Sequence, residues 1–516
     1  MARLHPVKIP PPNKDFLTDI IPGNTVTLDL FEPDSQRGAS TLRIRKVVHA
    51  YKNLFKSPSE KSFGESGDCN KNIKCFPNWD KQSDAVAMVL LSNGTEWCSG
   101  SLLNNTDQNF RPFFLSAFHC IDNDYNGSLS TSEKNDAENW MFKFQYKVTE
   151  CNGNTVRTTY TYNHAYFRAA WDTTDFALME LKNSPLGNDE ITWLGWDRSG
   201  NTPTEGTGIH HPQGDVMKIT LDEDELSETS YDNEYSGKYY WYNQADNGTY
   251  EKGSSGSPLF DQDKRVIGQL RGGYPGCSSS KKFWHGAFHR SWTGGEDSTN
   301  QLSHWLDPCE TNPETVNTAR SPYISGSSPL CTSSKTYTLH NVPSGSSVTW
   351  TAIPSYLFTD TSDSGSSFST AWVGSGNGLG AITATFTGDC DSIDITENIW
   401  VGHPAKPTIG GPFGSVYVGS INEITVEGME GAESYQWDVP GATILSGQGT
   451  SVIQVQVYAT DFIYIKVKAI NPCGESLQAT KSVEVESGDD PGDPGGLSLQ
   501  PMPADNQLTV TVEEGE

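Results

Sequence analysis

Apolar and polar positions alternate in short runs divided by turn-forming residues along most of the chain. Thr25-Val26-Thr27-Leu28-Asp29-Leu30-Phe31 and Leu42-Arg43-Ile44-Arg45-Lys46-Val47-Val48 each have the period of a half-buried strand. Residues 347–352, 381–386, 452–457 and 463–469 repeat it. Phe113-Phe114-Leu115-Ser116-Ala117 is instead nearly continuous in apolar character, as a strand buried on both faces would be. Only residues 301–306 suggest a short helix. The pattern predicts an all-β architecture of short strands and turns.

The same pattern divides the 516 residues into several units. Residues 1–62 read as the end of a β-rich pro-segment whose beginning and export signal are missing, with a junction in 61–64. Residues 63–309 are rich in Trp, His and Cys, and 310–322, broken by Asp307-Pro308 and Asn312-Pro313, read as a linker. Residues 323–404 and 405–487 resemble an immunoglobulin-like and a PKD-like or immunoglobulin-like β-sandwich, with Trp350 and Trp437 as core anchors. A second linker occupies 488–496, and 497–516 resembles the start of the C-terminal sorting domain of type IX secretion substrates.

Composition narrows the classes of function. The formal charge, 36 − 64 = −28, argues against nucleic acid or an anionic membrane as partner. No apolar stretch is long enough to span a bilayer. Ten cysteines without a CxxC pair point to disulfides formed in an oxidising compartment, hence a secreted or cell-surface protein. No metal or cofactor is expected, and the chain is expected to be a monomer acting on proteins or peptides.

Gly253-Ser254-Ser255-Gly256-Ser257-Pro258 supplies a candidate nucleophile. The flanking glycines allow a tight turn from which Ser255 projects, and the amides of Gly253 and Ser255 can converge on an oxyanion. A serine at its ordinary pKa needs a base. His119 ends the apolar run 113–118, beside Cys120. A Cys98–Cys120 bridge would fix the loop that presents it. Asp175, at the mouth of the apolar run 176–181, is the candidate carboxylate, with Asp172 ranked second. The chain order His119, Asp175, Ser255 is that of chymotrypsin-like proteases. Residues 266–273, ending Leu270-Arg271-Gly272-Gly273, read as a strand whose edge suits an extended peptide.

Gly100-Ser101-Leu102-Leu103-Asn104-Asn105, Ile209-His210-His211-Pro212, Gly195-Trp196-Asp197-Arg198 and Ser291-Trp292-Thr293-Gly294-Gly295 extend the likeness, and residues 64–308 resemble the bacterial lysyl endopeptidases. The resemblance implies a chymotrypsin-like double β-barrel in which His119, Asp175 and Ser255 form a triad. It also implies disulfides Cys69–Cys277, Cys75–Cys151 and Cys98–Cys120, and an aromatic–histidine stack beside the triad at Trp193 and His210. Trp193 and Trp196 also suit a barrel core. Cys331 and Cys390 are expected to bridge the first sandwich, leaving Cys309 and Cys473 paired with each other or free.

The sequence departs from that family at the specificity pocket. Phe283 stands where members carry the lysine-binding Asp, and Thr249 stands where trypsins carry theirs. A lysine ammonium would be buried there without a partner. Phe283 and Trp284 suit an apolar P1 side chain, and Lys281 or Lys282 an acidic one. Ser254 replaces the Asp that pairs with a freed N-terminus in pancreatic zymogens. The sequence thus predicts a serine endopeptidase that does not favour lysine, against two alternatives: a lysine-specific enzyme, or an inactive protease-like adhesion protein.

Overall fold

A computed structural model of the chain describes residues 66–486, apart from 92–96, 232–236, 278–280, 389, 412–413 and 428–429, together with the backbone of Thr25–Asp29 and Gln507–Thr511. The expected strand at 42–48, the pro-segment junction and the 488–496 linker lie outside the described residues. Thr25–Asp29, within the first run anticipated as a strand, pairs antiparallel with Gln507–Thr511. Contacts divide the chain into two units: residues 1–321 with 388–391 and 503–516, and residues 322–387 with 392–502.

The first unit contains two large sheets, the half-barrels of the expected double barrel. One has seven strands, and at its centre Val86–Leu90, Trp97–Leu103, Phe113–Ala117 and Phe176–Leu181 pair antiparallel in that order. The continuous apolar runs follow from position: every residue of Phe113–Ala117 and Phe176–Leu181 is buried. The other sheet has ten strands, including Gly206–His210, Lys218–Asp222, Pro258–Phe260, Val266–Tyr274 and Lys282–Ala287. A single apolar core joins the two, with Leu103, Phe113, Leu115 and Leu178 from the first sheet and Ile209, Ile219, Phe260 and Val266 from the second. Burying such side chains contributes roughly 1.5–3 kcal/mol each.

The stretch expected to be a linker is structured. Thr315–Val316 pairs with Trp196–Asp197, and Ala319–Arg320 with Thr192–Trp193. This approach requires glycine at 195, because a Cβ there would lie 2.1 Å from the Val316 carbonyl oxygen.

The second unit contains two sandwiches. Val348–Ile353 and Val452–Val457 alternate strictly between buried and exposed positions, as strands with one wet face do. Trp350 and Trp437 are buried anchors, and their indole nitrogens donate to the carbonyls of Gly365 and Thr450.

Five disulfides are present. Cys69–Cys277, Cys75–Cys151 and Cys98–Cys120 form as the resemblance implied. The expected Cys331–Cys390 bridge does not. Cys390 lies in the turn after Gly378–Thr387, and there it pairs with Cys309. Cys331 pairs with Cys473, next to Gly474–Glu475. No free cysteine remains among the described residues.

Candidate active site

Strand register brings His119 and Asp175 together. Ala117 pairs with Phe176, so the turn Phe118–Cys120 leaves one strand where Asp175 enters the next. Asp175 is fully buried and adopts a left-handed backbone (φ 56°). His119 Nδ1 donates to its Oδ1 and Oδ2 at 3.0 and 2.9 Å, and the His119 amide donates to Oδ1 at 3.0 Å. The ring is thus held with Nε2 turned away from the carboxylate. Asp172, the ranked alternative, begins the preceding 3-10 turn, and its carbonyl accepts the Asp175 amide.

The Ser255 loop packs against the strands that carry His119. The Ser99 amide donates to the Ser255 carbonyl at 2.8 Å, and the Ser99 hydroxyl donates to the Gly253 carbonyl at 2.9 Å. Gly256 adopts φ +81°, and a Cβ there would lie 2.4 Å from Ser116 Oγ and 2.7 Å from the Ala117 nitrogen, so only glycine fits. Gly253 is likewise left-handed at φ +96°. Among the described residues, the amides of Gly253 and Ser255 have no hydrogen-bond acceptor, while the Ser254, Gly256 and Ser257 amides do. Two unsatisfied donors beside a serine suit an oxyanion.

Behind Ser255 lies a polar chain that sequence reasoning missed. Thr220 Oγ1 donates to the Thr249 carbonyl (3.0 Å), which obliges His210 Nε2 to donate to Thr220 Oγ1 (3.0 Å). His210 Nδ1 then accepts from Ser254 Oγ (2.8 Å), which accepts the Glu251 amide (3.2 Å). Each proton is used once, so the chain works only with a neutral imidazole. Burial, with His211, Lys218 and His285 nearby, holds His210 well below its ordinary pKa. Glu251 in turn accepts the Gly67 amide on its carboxylate at 3.2 Å, tying the start of the domain to the Ser255 loop.

The stack expected between Trp193 and His210 is absent. Trp193 meets Phe110 edge-on at 5.4 Å, and His210 packs on Tyr250 at 4.6 Å, and both side chains are fully buried. The group beside Asp175 is Arg271, whose Nη1 lies 3.3 Å from Oδ1 and whose guanidinium stands 5.1 Å over the Tyr231 ring. A register shift between Leu270 and Gly272 places Arg271 in a bulge. Pro258–Phe260 covers only Val266–Gln269 of the neighbouring strand. The edge from Arg271 to Gly273 therefore has no strand on that side among the described residues.

The positions matching the family's lysine-binding acid carry no carboxylate. Phe283 is buried against Tyr250 at 4.7 Å, packed with Leu270 and Ala245. Thr249 is fully buried, and its hydroxyl accepts the Gly276 amide at 3.2 Å. Lys281 donates to the carbonyls of Gly248 (2.7 Å) and Asp246 (3.3 Å), and burial lowers its pKa. Lys282 is exposed, and Trp284 packs among Tyr231, Tyr242 and Tyr274.

His285 is fully buried, with neither ring nitrogen hydrogen-bonded among the described residues, and burial pushes its pKa down to about 3. In the unfolded chain it takes a proton below about pH 6.5. Between these values the unfolded state binds more protons, so stability falls as pH drops from about 6.5 towards 3. Replacing it by Phe removes that uptake. The slope of unfolding free energy against pH, from denaturant titrations between pH 7 and 4, should flatten by up to about 1.4 kcal/mol per unit. An unchanged slope would mean that the imidazole is not held neutral.

Residues 63–288 match the family model described as the lysyl endopeptidase C-terminal domain, and residues 417–485 match that of a PKD-like domain. A lysyl endopeptidase of Pseudomonas aeruginosa is 28% identical over 288 residues, 52% of this chain and 58% of that protein. The chain thus spans little more than half the length of this relative. Among solved structures, the Vibrio cholerae VesB protease is similar at 14% identity and a TM-score of 0.29, covering 64% of this chain and 97% of that one. A Glu endopeptidase is similar at 18% identity and a TM-score of 0.28, covering 43% and 92%. No helix among the described residues is long and apolar enough to cross a membrane.

Proposed function

We propose that this chain, whose residues 63–288 match the lysyl endopeptidase C-terminal domain, is a secreted serine endopeptidase that does not favour lysine at P1. In this reading Ser255 attacks the scissile carbonyl, and His119 takes its proton and later gives it to the leaving amine. Asp175 fixes the imidazole tautomer and stabilises the imidazolium. The Gly253 and Ser255 amides hold the tetrahedral oxyanion, and the strand edge at Arg271–Gly273, beyond the reach of Pro258–Phe260, pairs with the substrate backbone. The observation that carries the reading is the buried Asp175 carboxylate accepting both the ring and the backbone N–H of His119, opposite a glycine-framed serine loop with two unused amides. Secretion is supported by five disulfides, which persist in oxidising compartments.

The specificity follows from charge. A P1 lysine would need a carboxylate, and the matching positions hold Thr249 and Phe283, with the ammonium of Lys281 nearby. Digestion of a denatured protein, with cleavage sites read by mass spectrometry, should show no enrichment of lysine at P1. A fluorophosphonate probe should label the peptide containing Ser255. Strong lysine enrichment would overturn the specificity; absence of both labelling and cleavage would overturn the enzyme.

A further inference from the structure

Directly after the His119 turn the chain runs Asp122-Asn123-Asp124-Tyr125-Asn126-Gly127-Ser128-Leu129-Ser130-Thr131-Ser132-Glu133. With Asp122 as position 1, side-chain oxygens fall at positions 1, 3, 5, 9 and 12, a glycine at 6 and a main-chain carbonyl at 7. This is the order of ligands in the twelve-residue loop that wraps Ca2+ in helix–loop–helix proteins. Gly127 has the φ of +76° that the sharp turn at position 6 demands.

Two structural facts are independent of that spacing. The helix Thr131–Ala137 begins at position 10, which puts Glu133 in its first turn, facing back to the loop. Asp122 and Glu133 are only 4% and 7% exposed, and with Asp124 they bring carboxylate oxygens within 4.8 Å of one another. Neither buried carboxylate is ion-paired with any described cationic side chain. Their hydrogen bonds come from the amides of Asn123, Asn126, Gly127 and Ser130 and from the Ser130 hydroxyl, which supply no net positive charge. A bound cation would offset the repulsion between these adjacent carboxylates.

We propose that residues 122–133 form a Ca2+ site that orders the loop carrying His119. Asp122, Asp124, Asn126, the Ser128 carbonyl and Glu133 supply the oxygens, with Ser130 binding directly or through water. An oxygen-only set of this number favours Ca2+ over the smaller, strictly octahedral Mg2+. The coupling to His119 is short. Cys120, two residues before Asp122, is bridged to Cys98, and Gly127 and Leu129 line a cleft of about 360 Å³ together with Phe118, Trp171 and Asp172.

The full Ser255→Ala chain, stripped with EGTA, provides a sample in which Ca2+ binding is read without proteolysis, so the result does not depend on the proposed enzyme activity. Titration calorimetry with CaCl2 should show one site with Kd of about 1 µM to 1 mM. Saturating Ca2+ should raise Tm by about 3–8 °C. Asp124→Ala, at an exposed position, and Glu133→Gln, which retains the helix cap, should each weaken binding by about tenfold or more. Asp224→Ala, in the separate Asp222–Asp224–Asp246 cluster, should leave both readouts unchanged. The proposal is overturned if the parent chain shows neither binding nor a Tm shift. It is equally overturned if Asp124→Ala and Glu133→Gln keep the full response, or if Asp224→Ala abolishes it.

Discussion

Ser255→Ala should lower kcat/KM on a denatured protein by at least about 10⁴-fold while leaving Tm unchanged. The activity falls because neither other serine of the loop is placed to replace Ser255. Ser254 Oγ is engaged by His210 and the Glu251 amide, and Ser257 is fully buried. The fold survives because the loop is held by its backbone, through the Ser255 carbonyl to the Ser99 amide and the Gly256 amide to the Leu270 carbonyl. Neither bond involves the Ser255 side chain. Residual hydrolysis near the parent rate would mean that another group attacks. Lost activity with a lowered Tm would mean that the substitution damaged the loop and says nothing of chemistry, so the unfolding curve belongs to the measurement.

The parts of the site that were legible in the sequence are those made by strong local pattern. A continuous apolar run ending in His119, another beginning after Asp175, and a serine between glycines each announce themselves, because burial on both faces and left-handed turns constrain residue type. What was not legible depends on distant geometry. Arg271 reaches Asp175 because of a bulge, and a single inserted position in a ladder leaves no composition signal. The neutral chain through His210 joins residues from three separate segments, and its proton order follows only from the contacts. Two-residue strands at Thr315–Val316 and Ala319–Arg320 are too short for a period, so turn formers around them read as a linker. Cysteine pairing beyond the resemblance was undetermined for the same reason, since spacing alone does not fix connectivity.

Asp175→Asn should reduce kcat/KM by about 10⁴-fold with little change in KM. The carboxylate accepts the His119 ring N–H and backbone N–H together, and it lies fully buried. An amide of the same shape presents one NH2 in place of an acceptor oxygen. If its oxygen keeps the backbone N–H, the NH2 meets Nδ1 and drives the ring to the tautomer with Nε2 protonated, which cannot take the serine proton. If the amide turns over, the NH2 faces the His119 backbone N–H and that bond is lost. Either orientation also leaves the Arg271 guanidinium without the charge it faces at 3.3 Å. Arg271→Leu in the Asp175→Asn background separates these effects. Should removing Arg271 restore activity by tenfold or more, the loss came from an uncompensated cation rather than from the tautomer. Little or no recovery would place the defect in the imidazole, where the geometry of His119 locates it.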